Sequence, residues 1–313
     1  MSEQANPTQA QIADLSYRGY DGPLQSHALR WWTITRYSLR QATRKKGYVG
    51  ILLMAALPYL LQAFFLYIGS QVGVGQGGGQ ASLSFPDRFN SAYSSSLLWL
   101  FLMTLMVGAG SIAADNRANA LQVYLAKPIT KLDYLVGKWM SIAIAVGATS
   151  LLPAVALFIF CWGMYAQEGF LRDNSTLFFR MVGACLLPAV LHSSIMLGVS
   201  STNKNPRVAG AAYAGIYFIL AAVVQVAGQI VPGDNQELAS TVRHLSPGGL
   251  LEGLGKHIYQ ASDNLFPGMR GMSGMFEQAK PELWPMVAAA LVLIALGLLV
   301  ARSRIHAVEV VKG

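Results

Sequence analysis

The chain has 313 residues, of which 53% are hydrophobic and only 12% charged, with a formal net charge of +8. Ordinary globular domains carry about 25% charged residues, so this balance excludes a water-soluble domain and implies a polytopic membrane protein. The positive charge is no nucleic-acid footprint, because it collects on alternate loops: residues 1–47 hold seven Lys or Arg against three Asp or Glu, 111–138 four against two, 201–207 two against none and 302–313 three against one. Such loops face the cytoplasm.

Residues 1–25 are polar and broken by Gly19, Gly22 and Pro23, which reads as a cytoplasmic tail without periodic structure. From 26 to 47 a helical pattern sets Ala28, Trp31, Trp32, Leu39 and Ala42 on one side and Arg36, Arg40 and Arg44 on the other. Tryptophan at headgroup depth opposite arginine suits a helix lying in the membrane interface, an elbow before the first span. Residues 48–313 then form the transmembrane domain. A span needs about 20 mostly apolar residues, and six stretches qualify, near 48–69, 92–114, 134–164, 177–200, 207–231 and 283–301. The first follows a long polar leader and is expected to stay as an anchor. The fold class is therefore all-α with six transmembrane helices. An even count returns the C-terminus to the side of the N-terminus, as the charges also require, and the plasma membrane is the expected location. Pro58, Pro153 and Pro188 fall inside spans, and Ala209, Gly210, Ala214 and Gly215 give the fifth a small-residue surface.

The outer loops differ in length. Gly73 to Gly78 spells a formal GxGxxG, but it follows a membrane helix and reads as a linker. Residues 232–282 are too many for a plain connection. Within them Leu245, Leu250, Leu251, Leu254, Ile258 and Tyr259 approximate a helical face that starts at Ser246-Pro247. Both a re-entrant helix and an amphipathic helix on the outer leaflet fit that pattern.

One long polar segment, Ser111 to Lys138, separates the second and third spans. Leu121, Tyr124 and Leu125 have helical spacing after the polar Asp115, Arg117 and Asn119. Pro128 ends that helix, and Thr130 can cap the next one with Asp133 at the capping-box position. The run Ile112-Ala113-Ala114-Asp115, Leu121 to Leu125, Lys127-Pro128-Ile129-Thr130-Lys131 and Gly137-Lys138 resembles the corresponding segment of ABC transporter permeases of the ABC type-2 exporter class. It departs at Asn119, where the family usually has glycine, and at Gln122, where glutamate is usual. The resemblance implies a cytoplasmic coupling helix that docks onto a separate ABC ATPase subunit, with Asp115, Arg117, Leu121, Tyr124, Leu125 and Lys127 as docking residues. It also implies a second permease subunit in a homo- or heterodimer, and an elbow helix at the N-terminal end.

No residue pattern marks this chain as an enzyme. GxxxxGK[ST] is absent, so ATP and Mg are expected on the partner, with no cofactor bound here. The segment Gly249 to His257 only imitates that motif, and Gly271-Met272-Ser273-Gly274 lies in a polar loop. His244, Glu252 and His257 lack ligand spacing, so no metal site is expected, and Cys161 and Cys185 read as small buried hydrophobes. Inside the spans His192, Gln225 and Gln229 are candidate pathway residues, each with helix-to-helix hydrogen bonding as the competing role. The chain reads as the permease subunit of an ATP-driven exporter, in contact with membrane lipid. The competing reading is a non-transport scaffold or accessory subunit of a membrane complex.

Overall fold

The computed structural model describes residues 29–71, 84–120, 129–231, 235–261 and 281–305. These residues form helices and connections, with no strand among them. In order the helices are α1 (Arg30–Thr43), α2 (Lys46–Gln71), α3 (Phe85–Gly108), α4 (Ala113–Arg117), α5 (Lys131–Tyr165), α6 (Phe170–Asp173), α7 (Leu177–Ser201), α8 (Pro206–Ile230), α9 (Gln236–Arg243), α10 (Pro247–Tyr259) and α11 (Leu283–Arg304). Six of them, α2, α3, α5, α7, α8 and α11, are long and apolar enough to cross a bilayer.

Local chemistry sets the ends. Thr130 and Asp133 form a reciprocal capping box, Thr130 Oγ1 accepting from Asp133 N at 3.1 Å and Asp133 Oδ2 accepting from Thr130 N at 3.1 Å. Ser246 caps α10 by accepting from Gly249 N at 3.1 Å, with Pro247 in its first turn. The second span begins at Phe85, ahead of the apolar run at 92, because Ser84 accepts from Asp87 N and Pro86 suits a first turn.

Lipid tails are as apolar as leucine, so spans associate through close packing and hydrogen bonds rather than through escape from water. The fourth span, α7, is the hub, packed against α3, α5, α10 and α11. Gly198 and Gly297 let α7 and α11 touch backbone to backbone: a Cβ on Gly297 would lie 2.3 Å from Ser194 O, and one on Gly198 2.7 Å from Gly297 O. By contrast α2, α8 and α11 turn large apolar side chains such as Leu60, Val223 and Leu291 outward, as helices at a lipid boundary do.

The connection between the fifth and sixth spans folds back onto the bundle. Leu250, Leu251 and Tyr259 are fully buried, so the apolar face of α10 packs on protein. The contacts give its direction. Tyr259 at its end meets the rings of Phe89 and Tyr93, Gly255 faces the Tyr93 ring, and Tyr93 Oη donates to Leu251 O at 3.2 Å. Gly248 at its start faces Tyr217, whose ring lies 4.3 Å from that of Phe101. Between Phe89 and Phe101 lie about 18 Å of helix, so α10 runs alongside α3 from near its start to past its middle. Each of these glycines admits an aromatic ring that a side chain would displace.

Candidate functional site

The segment singled out between the second and third spans is built around α4. Its helix is short because Asn119 takes a left-handed backbone, φ 50°, just past its end. That conformation favours glycine, and asparagine tolerates it better than other side chains. The departure from the family pattern at this position is therefore conservative in backbone terms.

Two neighbouring spans grip α4. On one side Asp115 Oδ2 lies 2.7 Å from Lys138 Nζ and accepts from Tyr134 Oη at 2.7 Å, tying α4 to the start of α5. Lys138 also lies over the Tyr134 ring, 5.6 Å from its centre. On the other side Asn116 Nδ2 donates to Ser201 O and Asn203 O, each at 3.2 Å. Ser200 Oγ accepts from Ile112 N at 3.1 Å and Ala113 N at 3.0 Å, and donates to Ala109 O at 3.0 Å. The first turn of α4 and the last turn of α3 are thus bound through one hydroxyl to the end of α7.

The same end of the bundle carries α1. Gly137 lies directly beneath it, since a Cβ there would stand 2.8 Å from both Ile34 Cβ and Trp31 O. Thr35 Oγ1 bridges the helices, set to donate to Trp31 O at 3.0 Å or Gly137 O at 3.1 Å. The buried face is Ile34, Thr35 and Ala42. Trp32 is 43% exposed, while Ile34 and Thr35 are the residues centred over the glycine. Lys45, between α1 and α2, donates to Met106 O at 2.8 Å and ties the α1–α2 joint to the last turn of α3.

Of the six docking candidates, Asp115 is spent on the joint and Arg117 is exposed, while Leu121, Tyr124, Leu125 and Lys127 lie outside the described residues. Tyr134, Lys138, Asn116 and Ser200 carry the attachment, and none of them stands out individually in the sequence. Lys138 and Tyr134 share a helix face at i, i+4, which was the available signal; nothing local points Ser200 at α4.

The three pathway candidates do not come together. His192 is fully buried in α7, its Nδ1 paired with Tyr213 Oη at 2.5 Å and its ring near Tyr217. Gln225 and Gln229 are exposed on α8. At 100° per residue they share one flank, next to the Val224–Gly228 stripe on which α9 rests, where Arg243 Nη2 donates to Gly228 O at 3.4 Å. Glu252 and Lys256 pair on α10 at 3.3 Å. Gly249 to His257, the imitation of a phosphate loop, is helical and packed, with no open loop to cradle a phosphate. Among the described residues no group of His, Cys, Asp and Glu gathers at metal-binding distance, and both cysteines are buried and unpaired.

No curated protein matches the chain. Residues 32–303 match the family model described as ABC-2 family transporter protein.

Proposed function

Because this chain belongs to the ABC-2 transporter family, we propose that it is the membrane-spanning permease subunit of an ATP-driven exporter in the plasma membrane. A second permease subunit completes the pathway, and a separate ATP-hydrolysing subunit, which carries ATP and Mg, supplies the work. The observation that carries this reading is the attachment of α4, on the proposed cytoplasmic side. A force applied there reaches α5 through Asp115, Tyr134 and Lys138, and α3 and α7 through Asn116 and Ser200. Since α7 is packed in turn on α10 and α11, a tilt at α4 is delivered to the outer hairpin as well as to the spans.

Arg117, exposed at the end of α4, and the docking residues that follow it form the contact surface in this reading. Gln225 and Gln229 face the pathway where α8 meets α9, and His192 holds Tyr213 about 18 Å further back along the same helix. Copurification tests the assignment: Arg117→Glu combined with Leu121→Asp should abolish capture of an ATP-hydrolysing partner while leaving membrane insertion intact. Undiminished capture by that variant would overturn the docking role.

A further inference from the structure

The ends of α5 and α11 enclose a cavity of about 380 Å³ lined by Thr130, Lys131, Leu132, Leu135, Arg302 and Ile305. Its two halves differ in chemistry. Lys131 and Arg302 come from different helices and bring two exposed cations to one opening, and among the described residues neither enters an ion pair. Asp133, two residues from Lys131, is taken up by Thr130 N and Thr130 Oγ1. The remaining wall is apolar: Leu135 and Ile305 are buried, while Leu132 is 59% exposed. Arg302 lies in the last turn of a membrane helix, so the opening sits where the hydrocarbon region gives way to headgroups.

We propose that this cavity binds the headgroup of an anionic phospholipid, the phosphate between Lys131 and Arg302 and the glycerol and first acyl carbons against Leu132, Leu135 and Ile305. Basic pockets between membrane helices recognise such headgroups because a guanidinium offers paired donors to phosphate oxygens while an ammonium adds a point charge. An apolar wall continuous with the bilayer adds what a free phosphate cannot use. Bound there, the lipid bridges the third and sixth spans. The site does not depend on the docking role of α4, and its failure would leave that role untouched.

The test is thermal unfolding of the full chain in detergent, titrated with cardiolipin or phosphatidylglycerol, with phosphatidylcholine, and with inorganic phosphate. Anionic lipid should raise the midpoint, and phosphatidylcholine and millimolar phosphate should not. Near a membrane each basic residue contributes about 1 kcal/mol, so Lys131→Gln or Arg302→Gln should weaken the apparent lipid affinity about fivefold, and the pair about 30-fold. Both residues are exposed, so the unliganded midpoint should stay where it was. An equal response to phosphatidylcholine, or an unchanged lipid response in the double variant, overturns the site. A matching response to inorganic phosphate makes it a soluble-anion site and overturns the lipid. A double variant that keeps its lipid response and loses the ATP-hydrolysing partner assigns the cations to a protein contact, with the same result.

Discussion

Asp115 and Lys138 meet at 2.7 Å across the joint between α4 and α5, with side chains only 17% and 8% exposed. Breaking a largely buried pair by removing one partner is costly, whereas removing both charges together often is not. Asp115→Asn should therefore lower stability by about 3 kcal/mol, read as a drop in the unfolding midpoint. Asp115→Asn with Lys138→Met should recover more than half of that loss. Simple addition of the two single losses would show that the charges do not act on each other.

Gly297 should tolerate no side chain. Its Cβ would fall 2.3 Å from Ser194 O, a backbone atom that cannot rotate away. Gly297→Ala should cost about 1–3 kcal/mol by overpacking, whereas Gly163→Ala, at a position with nothing within 4 Å, should leave the midpoint unchanged. Melting the two variants side by side checks both.

Gly137→Ala should lift α1 from the bundle without disturbing the spans, because the added methyl would meet Ile34 and the Trp31 carbonyl at 2.8 Å. Limited proteolysis should then cut within Arg30–Thr43 at least several times faster, with the fragment containing the spans still folded. Unchanged cleavage would mean that α1 is held mainly by other contacts.

At Asn119 the backbone conformation predicts the order of substitutions. Asn119→Gly should be neutral within a few tenths of a kcal/mol, while Asn119→Val should cost about 1–2 kcal/mol, since a branched side chain clashes in the left-handed region. Melting midpoints of the two variants give the comparison.

For the proposed pathway, Gln225→Cys and Gln229→Cys should react with a membrane-impermeant maleimide, and Val223→Cys, on the opposite side of α8, should not. The native cysteines are buried and give little background. Equal labelling at all three positions would remove the distinction between the two faces.

Much of this architecture is legible locally. Six apolar runs, the Thr130–Asp133 box and the Ser246-Pro247 start each depend on residues within a few positions of one another, and the helices form there. The direction of α10 is not local: whether its apolar face meets lipid or protein depends on Tyr93 and Tyr217, roughly 160 and 30 residues away in sequence. The same limit hides Ser200, a serine that reads like any other at a helix end until α4 is placed against it. The packing of α1 is hidden for a related reason, because Gly137 on the opposing helix is what admits Thr35, and periodicity within α1 does not reveal it.

Ser200 Oγ has both acceptor sites and its one proton in use. An alanine there would strand two amides and a carbonyl at once, so the residue is a fastening with no slack. Any rearrangement that slides the end of α7 past α3 must break all three bonds together, which favours movement of that corner as a single block and puts the bending elsewhere along the spans.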